Sequence, residues 1–260
     1  MKLTATQLTT FHQEGFIVLR NFLDVVDCDR MLEVIYRHLE EKIEPIETEV
    51  GYDEKSKAYR TEESDYSHNE KGSTIRRLRQ VYERDVRFKA WMENEAIRPV
   101  LQQILEDSVS VTLAHHNSIM TKMPRSSTET KWHQDRRYWR FDSDNLLSVW
   151  LALGSEYSEN GALEVIPQSH KMSFDAGCFD EKEYFSSTHS KNKDLIEKKR
   201  LVTLEKGDVL IFHSLLLHRA NQNVTDLPKI SFVYTVKGEK VKAQKGTRSD
   251  AFDAISLAEL

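Results

Sequence analysis

The chain has 260 residues, of which 39% are hydrophobic and 30% charged, and its formal net charge is −5. This length fits one domain with a sizeable core, and the acidic balance argues against a nucleic-acid-binding protein, which normally carries a basic excess. The longest apolar stretch, at 146–153, is too short to span a membrane, and residues 1–15 lack the apolar core of a signal peptide. The two cysteines form no C-x-x-C pair, so neither a disulfide framework nor structural zinc is indicated. We therefore expect a cytoplasmic protein without nucleic-acid or membrane partners.

The N-terminal part of the chain, residues 1–108, is predicted to be mainly helical. Apolar residues recur at helical spacing over 6–42 and again over 84–106, and the short apolar run at 17–19 predicts one strand between helices. Residues 44–74 differ, because they are rich in Glu, Lys, Ser and Asp and poor in aliphatic residues. We expect an ordinary solvated loop there or, as the functional alternative, a mobile lid.

The residue pattern of the sequence changes from residue 109 onward. Short β-rich runs are separated by turn signals such as Asn160-Gly161 and Gly207-Asp208. Helices followed by a series of strands predict an α+β chain, mainly β, whose second half is a sandwich or barrel. Because there is no internal repeat and no domain-sized linker, we expect a single domain, with its strand-rich core at 109–240 and a C-terminal tail at 241–260.

The segment Trp-His-Gln-Asp contains the first candidate metal ligands, His133 and Asp135. Side chains at i and i+2 of a strand project to the same face, and one further histidine would complete the 2-His-1-carboxylate set that binds Fe(II). By itself the H-x-D pattern is weak, and a surface His-Asp pair is the plainer interpretation. The third ligand could be His213 or His218, which follow one predicted strand. We expect the chain to turn near Ser214, and the spacing leaves the choice open.

Four segments resemble, in order, the conserved blocks of the phytanoyl-CoA dioxygenase family of Fe(II)/2-oxoglutarate oxygenases. They are FHQEGFIVL at 11–19, WHQD at 132–135, NGALEVIPQSHK at 160–171 and GDVLIFHSLLLH at 207–218. The resemblance implies a double-stranded β-helix (a cupin-like jelly roll) with flanking N-terminal helices. It also implies Fe(II) as metal, 2-oxoglutarate and O2 as co-substrates, and the metal ligands His133, Asp135 and His218, with His213 packed behind.

The same resemblance implies a binding site for 2-oxoglutarate. Lys229 stands where the family usually has an arginine that pairs with the distal carboxylate, so the charge is kept and the bidentate fork is lost. The Thr225 hydroxyl is expected to assist Lys229. Trp150, Arg77 and Gln134 are the other expected contacts.

Three residues just after the H-x-D segment are expected to contact substrate. They are Arg137, Tyr138 and Arg140, and the two arginines favour an anionic group. The plainer interpretation of these arginines is a solvated basic edge. His116, in a β-rich run, is a further candidate for the site, although most such histidines are simply packed.

The predicted function is hydroxylation of an unactivated C–H bond of a small molecule, anionic or acyl, with release of succinate and CO2. The carboxylate of Asp135 argues against halogenation, because related halogenating enzymes have Ala or Gly at that place. Two alternatives stay open. One is a desaturase, cyclase or epimerase of the same family, and the other is a non-catalytic jelly-roll binding module with a vestigial metal site. The oligomeric state is not readable from the sequence.

Overall fold

Four helices lie in the N-terminal part of the computed structural model, which describes residues 1–50 and 74–258. They are α1 (Ala5–Glu14), α2 (Val25–Glu40), α3 (Val86–Met92) and α4 (Arg98–Leu105), and a fifth, α5 (Ser190–Ile196), lies further along the chain. The side chains of Thr4, Asp24 and Asp85 accept hydrogen bonds from backbone N–H groups in the first turns of α1, α2 and α3. The predicted helical segments are confirmed.

The strands form two antiparallel sheets. The larger has the order β1 (Phe16–Leu19), β9 (Val209–His213), β6 (Leu146–Ala152), β11 (Lys229–Gly238), β4 (Val109–Lys122), β3 (Ile75–Arg79) and β2 (Ile46–Thr48), and β12 (Ala254–Ser256) also pairs with β4. The smaller has the order β5 (Thr130–His133), β10 (His218–Ala220), β7 (Leu163–Val165) and β8 (Arg200–Leu201). This jelly roll with N-terminal helices confirms the expected fold class.

Both faces of the large sheet are buried, which explains why every residue of β6 is buried and why all of them except Ser148 are apolar. Because side chains alternate along a strand, Val149 and Leu151 pack with the helices on the outer face. Trp150 faces the other way and joins an apolar cluster between the sheets, which we call the intersheet core, with Leu163 of the small sheet and Val233 of the large one. No helix in the described ranges is long and apolar enough to cross a membrane.

The expectation of a solvated loop or lid at 44–74 is wrong for its first residues. Ile46–Thr48 is a buried edge strand that pairs with β3. The apolar side chains of Ile46 and Ile75 explain this placement, since each adds to the core beneath the helices. Residues 51–73 lie outside the described residues, so the lid stays a prediction.

Candidate active site

Two histidines meet across a pair of neighbouring strands of the small sheet. His133 ends β5, His218 begins β10, and the two residues are directly opposite in the register. Their ring centroids are 4.2 Å apart, and both side chains are buried. The turn expected near Ser214 is present, since β9 ends at His213, a turn follows at Ser214, and β10 begins at His218 in the other sheet. His213 packs elsewhere, with its ring 5.4 Å from that of His170.

Asp135 completes the set from a short 3-10 turn, Asp135–Tyr138, and not from a strand as expected. The turn nevertheless brings its carboxylate to the two imidazoles, with Oδ1 at 3.7 Å from Nε2 of His133 and 3.6 Å from Nε2 of His218. The potential ligand atoms of the three residues all lie within 4.8 Å of one another. One ion could therefore contact all three.

Hydrogen bonds fix the tautomers of both imidazoles. Nδ1 of His133 donates to the carbonyl of Lys131 at 2.8 Å, and Nδ1 of His218 donates to that of Leu216 at 3.0 Å. Each Nε2 is thus left with a lone pair for a metal ion. Burial lowers the pKa of both histidines, so both imidazoles are neutral, as ligation requires. The donor set fits Fe(II).

The carboxylate of Asp135 is fully buried and held from two sides. The Ser148 hydroxyl donates to Oδ2 at 2.6 Å, and Nε2 of His116 donates to Oδ1 at 2.9 Å. Burial by itself would raise the pKa of Asp135, but the interactions with His116 and His218 outweigh it and hold the pKa well below its usual range. The group is therefore an anion. His116 supports a ligand, a role that the sequence did not separate from packing, and nothing in the sequence distinguished Ser148.

A cleft of about 1060 Å³, measured to its open mouth, lies between the two sheets and reaches the histidines. Its walls come from both sheets, including Lys122, Trp150, Phe212 and Lys229 of the large sheet and Thr130, His133, Leu163 and His218 of the small one. A concave site lined by apolar and aromatic side chains with a few polar groups is typical of small-molecule binding.

Lys229 lines the cleft and is already paired. Its Nζ is 3.0 Å from Oε2 of Glu156, a buried carboxylate that also accepts hydrogen bonds from Trp150 Nε1 and the Ser231 hydroxyl. The ammonium lies 5.0 Å from the centre of the Trp150 ring. Sequence reasoning missed Glu156, because a single Glu after a strand carries no recognisable signal.

The other expected co-substrate contacts divide into two groups. Trp150 and Arg77 line the cleft, and Arg77 also pairs with Glu47 at 3.2 Å. Gln134 points away, because its amide donates to the carbonyl of Leu215. The Thr225 hydroxyl is bonded to the side chain of Asn223 in the turn before β11, and the structure does not bring it to the cleft.

Of the three expected substrate contacts, Tyr138 alone lines the cleft. Arg140 donates to the backbone carbonyl of Arg137. The Arg137 side chain is only 8% exposed and packs between two aromatic rings, at 4.4 Å from the centre of Tyr138 and 3.7 Å from that of Tyr184. None of its guanidinium nitrogens has a hydrogen-bond partner in the described structure. It is therefore a buried cation rather than a solvated basic edge.

A jelly roll that buries two histidines and a carboxylate at the inner end of a cleft defines the class of 2-His-1-carboxylate metal sites. The family model for phytanoyl-CoA dioxygenase (PhyH) matches residues 11–231, and the chain belongs to this family.

Known proteins similar to the chain agree with this membership. It is 27% identical over 235 residues to "Phytanoyl-CoA dioxygenase, peroxisomal" of Homo sapiens, covering 86% of this chain and 65% of the human protein, so it spans somewhat less than two thirds of that relative. The crystal structure of EctD from S. alaskensis with bound Fe has a TM-score of 0.76 at 17% identity, covering 98% of this chain and 86% of EctD. The crystal structure of the epimerase SnoN from nogalamycin biosynthesis was determined in complex with Fe3+, alpha ketoglutarate and nogalamycin RO. It has a TM-score of 0.71 at 18% identity, covering 92% of this chain and 85% of SnoN. These likenesses establish the fold.

Proposed function

We propose that this protein is a non-haem Fe(II)- and 2-oxoglutarate-dependent dioxygenase that hydroxylates a small molecule. The buried set of His133, Asp135 and His218 carries the proposal, because its geometry and protonation suit a metal ion. Burying these three polar side chains would be costly if they bound no metal ion. Family membership and the Fe and alpha ketoglutarate in the similar structures support it.

The protein's own residues supply binding, orientation and the exclusion of water. His133, Asp135 and His218 would hold the metal ion beside the cleft. When bound, Fe(II) with 2-oxoglutarate and O2 supplies the oxidising chemistry that places oxygen on a C–H bond and releases succinate and CO2. Lys229 would attract the distal carboxylate of 2-oxoglutarate, Trp150 would line its chain, and Arg77 would add positive charge at the cleft wall.

The test is anaerobic addition of Fe(II) and 2-oxoglutarate, which should produce a visible charge-transfer band. His218→Ala should abolish the band, because one ligand is lost. His213→Ala, which removes the other histidine of the same segment, should keep it. A native far-UV circular dichroism spectrum of each variant excludes unfolding as the cause. No band in the unmodified protein would favour the binding module with a vestigial metal site.

The carboxylate of Asp135 argues against halogenation, but the ligand set does not distinguish hydroxylation from desaturation, cyclisation or epimerisation. A fold shared with an epimerase does not identify the product. Mass spectrometry of the product distinguishes the outcomes, since hydroxylation adds one oxygen atom, desaturation removes two hydrogens and epimerisation leaves the mass unchanged. A cytoplasmic location and the lack of nucleic-acid and membrane partners stay predictions.

We further propose that the substrate carries an anionic group that pairs with Arg137. A buried guanidinium without a hydrogen-bond partner is costly, and a carboxylate or phosphate would provide the missing acceptor. The adjacent ring of Tyr138 lies at the cleft wall, 6.3 Å from the ring of His133, so an anion at Arg137 would lie near the metal ligands.

Arg137→Met is expected to reduce, at least about tenfold, the succinate release stimulated by a panel of carboxylic acids, phosphate monoesters and acyl-CoA thioesters. The thermal midpoint without substrate should stay equal or rise, because an unpaired buried charge is removed. Arg140→Met is the matched comparison and should keep the stimulation. Equal stimulation by the acids and their uncharged methyl esters in the unmodified protein would contradict the proposal.

A further inference from the structure

Two lysines lie opposite each other at the cleft wall. Lys122 ends β4, Lys229 begins β11, and the register of the two antiparallel strands pairs them directly. Both line the cleft, and they are only 8% and 4% exposed. Like charges at directly opposed positions destabilise a sheet, and burial increases that cost. Such a pair needs negative charge close by.

The described carboxylates pair with the cationic neighbours of Lys122 but not with Lys122 itself. Three cationic side chains of the cleft wall each have a carboxylate within 3.2 Å: Arg76 has Glu49 at 2.9 Å, Arg77 has Glu47 at 3.2 Å and Lys229 has Glu156 at 3.0 Å. Lys122 has none among the described residues. Its Nζ donates to the backbone carbonyl of Thr128 at 2.8 Å. Lys122 is therefore a cleft lysine that no carboxylate of the described residues compensates.

The surroundings of Lys122 make a bare ammonium unfavourable. Burial lowers its pKa to about 6, with Arg76 and Lys229 acting in the same direction and Glu49 and Glu129 against it. A carboxylate that enters the cleft would stabilise the charged form. The side chain thus has the position and the chemistry of an anion receptor that is incomplete without its ligand.

We propose that Lys122 is a second cation for the distal carboxylate of 2-oxoglutarate, acting together with Lys229. This inference rests on the proposed function. Two opposed ammonium groups would receive the two carboxylate oxygens, and so replace the two-pronged guanidinium that a lysine at 229 cannot offer. Glu156 and the ring of Trp150 keep the Lys229 ammonium in place.

The experiment compares two oxo acids that differ only at the far end. Dissociation constants for 2-oxoglutarate and for 2-oxopentanoate, which lacks the distal carboxylate, are measured anaerobically with Fe(II) from the charge-transfer band. Lys122→Met is the test variant and Lys122→Arg keeps the charge. Lys237→Met is the matched control, because Lys237 is another buried lysine, 7% exposed. Its Nζ donates to the carbonyl of Gly238, and it is not among the residues that line the cleft.

Lys122→Met should weaken 2-oxoglutarate binding about tenfold to a hundredfold and leave 2-oxopentanoate binding unchanged. Lys122→Arg should retain most of the affinity, and Lys237→Met should match the unmodified protein. Unchanged 2-oxoglutarate binding in Lys122→Met, or an equal loss of affinity for both acids, would overturn the proposed role of Lys122 and leave the proposed function of the protein unaffected. If the unmodified protein shows no band with either acid, the proposed function fails, and this inference fails with it.

A second measurement needs no variant. Lys122 faces Arg76, Lys229, Glu49 and Glu129, and an added carboxylate raises its pKa from about 6. Binding of 2-oxoglutarate near pH 7 should therefore take up close to one proton, and binding of 2-oxopentanoate should take up none. Calorimetry in buffers of different ionisation enthalpy measures this difference. Equal uptake with both acids would contradict the proposal.

Discussion

The orientation of Asp135 depends on two side chains that lie outside the ligand set. Ser148 and His116 donate to different oxygens of the carboxylate, and Ser148 is completely buried. Partners of this kind fix the direction from which a ligand meets its metal, and their loss commonly weakens metal binding about tenfold to a hundredfold.

Ser148→Ala is therefore expected to weaken Fe(II) binding by about tenfold or more, because one carboxylate oxygen loses its donor in a buried site. Anaerobic Fe(II) titration measures the change. Ser110→Ala, at another buried serine of the large sheet, is the control and should bind Fe(II) normally. Identical affinities in the two variants would show that Ser148 is only a packing residue.

Some residues of the site could be predicted from the sequence and others could not. His133 and Asp135 were recognisable from their spacing, and resemblance to a family selected His218 over His213. Glu156 and Lys122 were not recognisable, because their importance comes from pairing across strands that are distant in the sequence. Gln134 was misplaced for a related reason, since its direction depends on a carbonyl in another loop.

One buried carboxylate connects two elements of the large sheet. Asp208, immediately before β9, is 1% exposed and accepts hydrogen bonds from Arg20 and from the backbone N–H groups of Asn21 and Glu205. It therefore joins the turn after β1 to the turn before β9. Burial alone would raise its pKa, but these donors outweigh it and hold the pKa below the usual value of 3.8.

Asp208→Asn should lower the free energy of unfolding at pH 7 by about 1–3 kcal/mol, because donors to a charged acceptor lose their partner. A depressed folded-state pKa stabilises the protein above the unfolded-state pKa, and this contribution disappears as the pH falls through the folded-state value. The difference between variant and unmodified protein should accordingly shrink below about pH 4. Urea unfolding across this pH range provides the measurement.

The control for this prediction is Asp226→Asn, at an exposed carboxylate whose partner Arg125 is also exposed. It should change stability little at any pH, since exposed ion pairs contribute little. A constant Asp208→Asn effect from pH 7 to pH 2 would mean that the lost stability does not come from the carboxylate charge.

At the level of elements, the helices and most strands were predictable from periodicity. The exceptions have physical causes. Asp135 lies in a turn, since its backbone leaves the sheet immediately after His133. Ile46–Thr48 is a strand because the exposed edge of β3 offers backbone partners, which no local pattern reveals.

Across the whole molecule, composition predicted a domain with a core but gave no information on its layers. The apolar run of β6 is explained only by a sheet covered on both sides, by helices on one face and by the small sheet on the other. Resemblance to a family predicted the jelly roll correctly, because the order of conserved segments reflects the order of strands. The depth of the cleft could not be predicted, since it depends on how far apart the sheets pack.

The intersheet core has a consequence for which oxo acids the protein accepts. The histidine ligands belong to the small sheet, whereas Lys122 and Lys229 belong to the large one. The side chains of Leu163, Phe212 and Val233 pack between the sheets and so set their spacing. That spacing would select oxo acids by length, because an oxo acid must reach from the metal at one wall to the lysines at the other. Selection for a five-carbon dicarboxylate over a longer or shorter one would thus depend on the volume of the apolar side chains that lie between the two sheets.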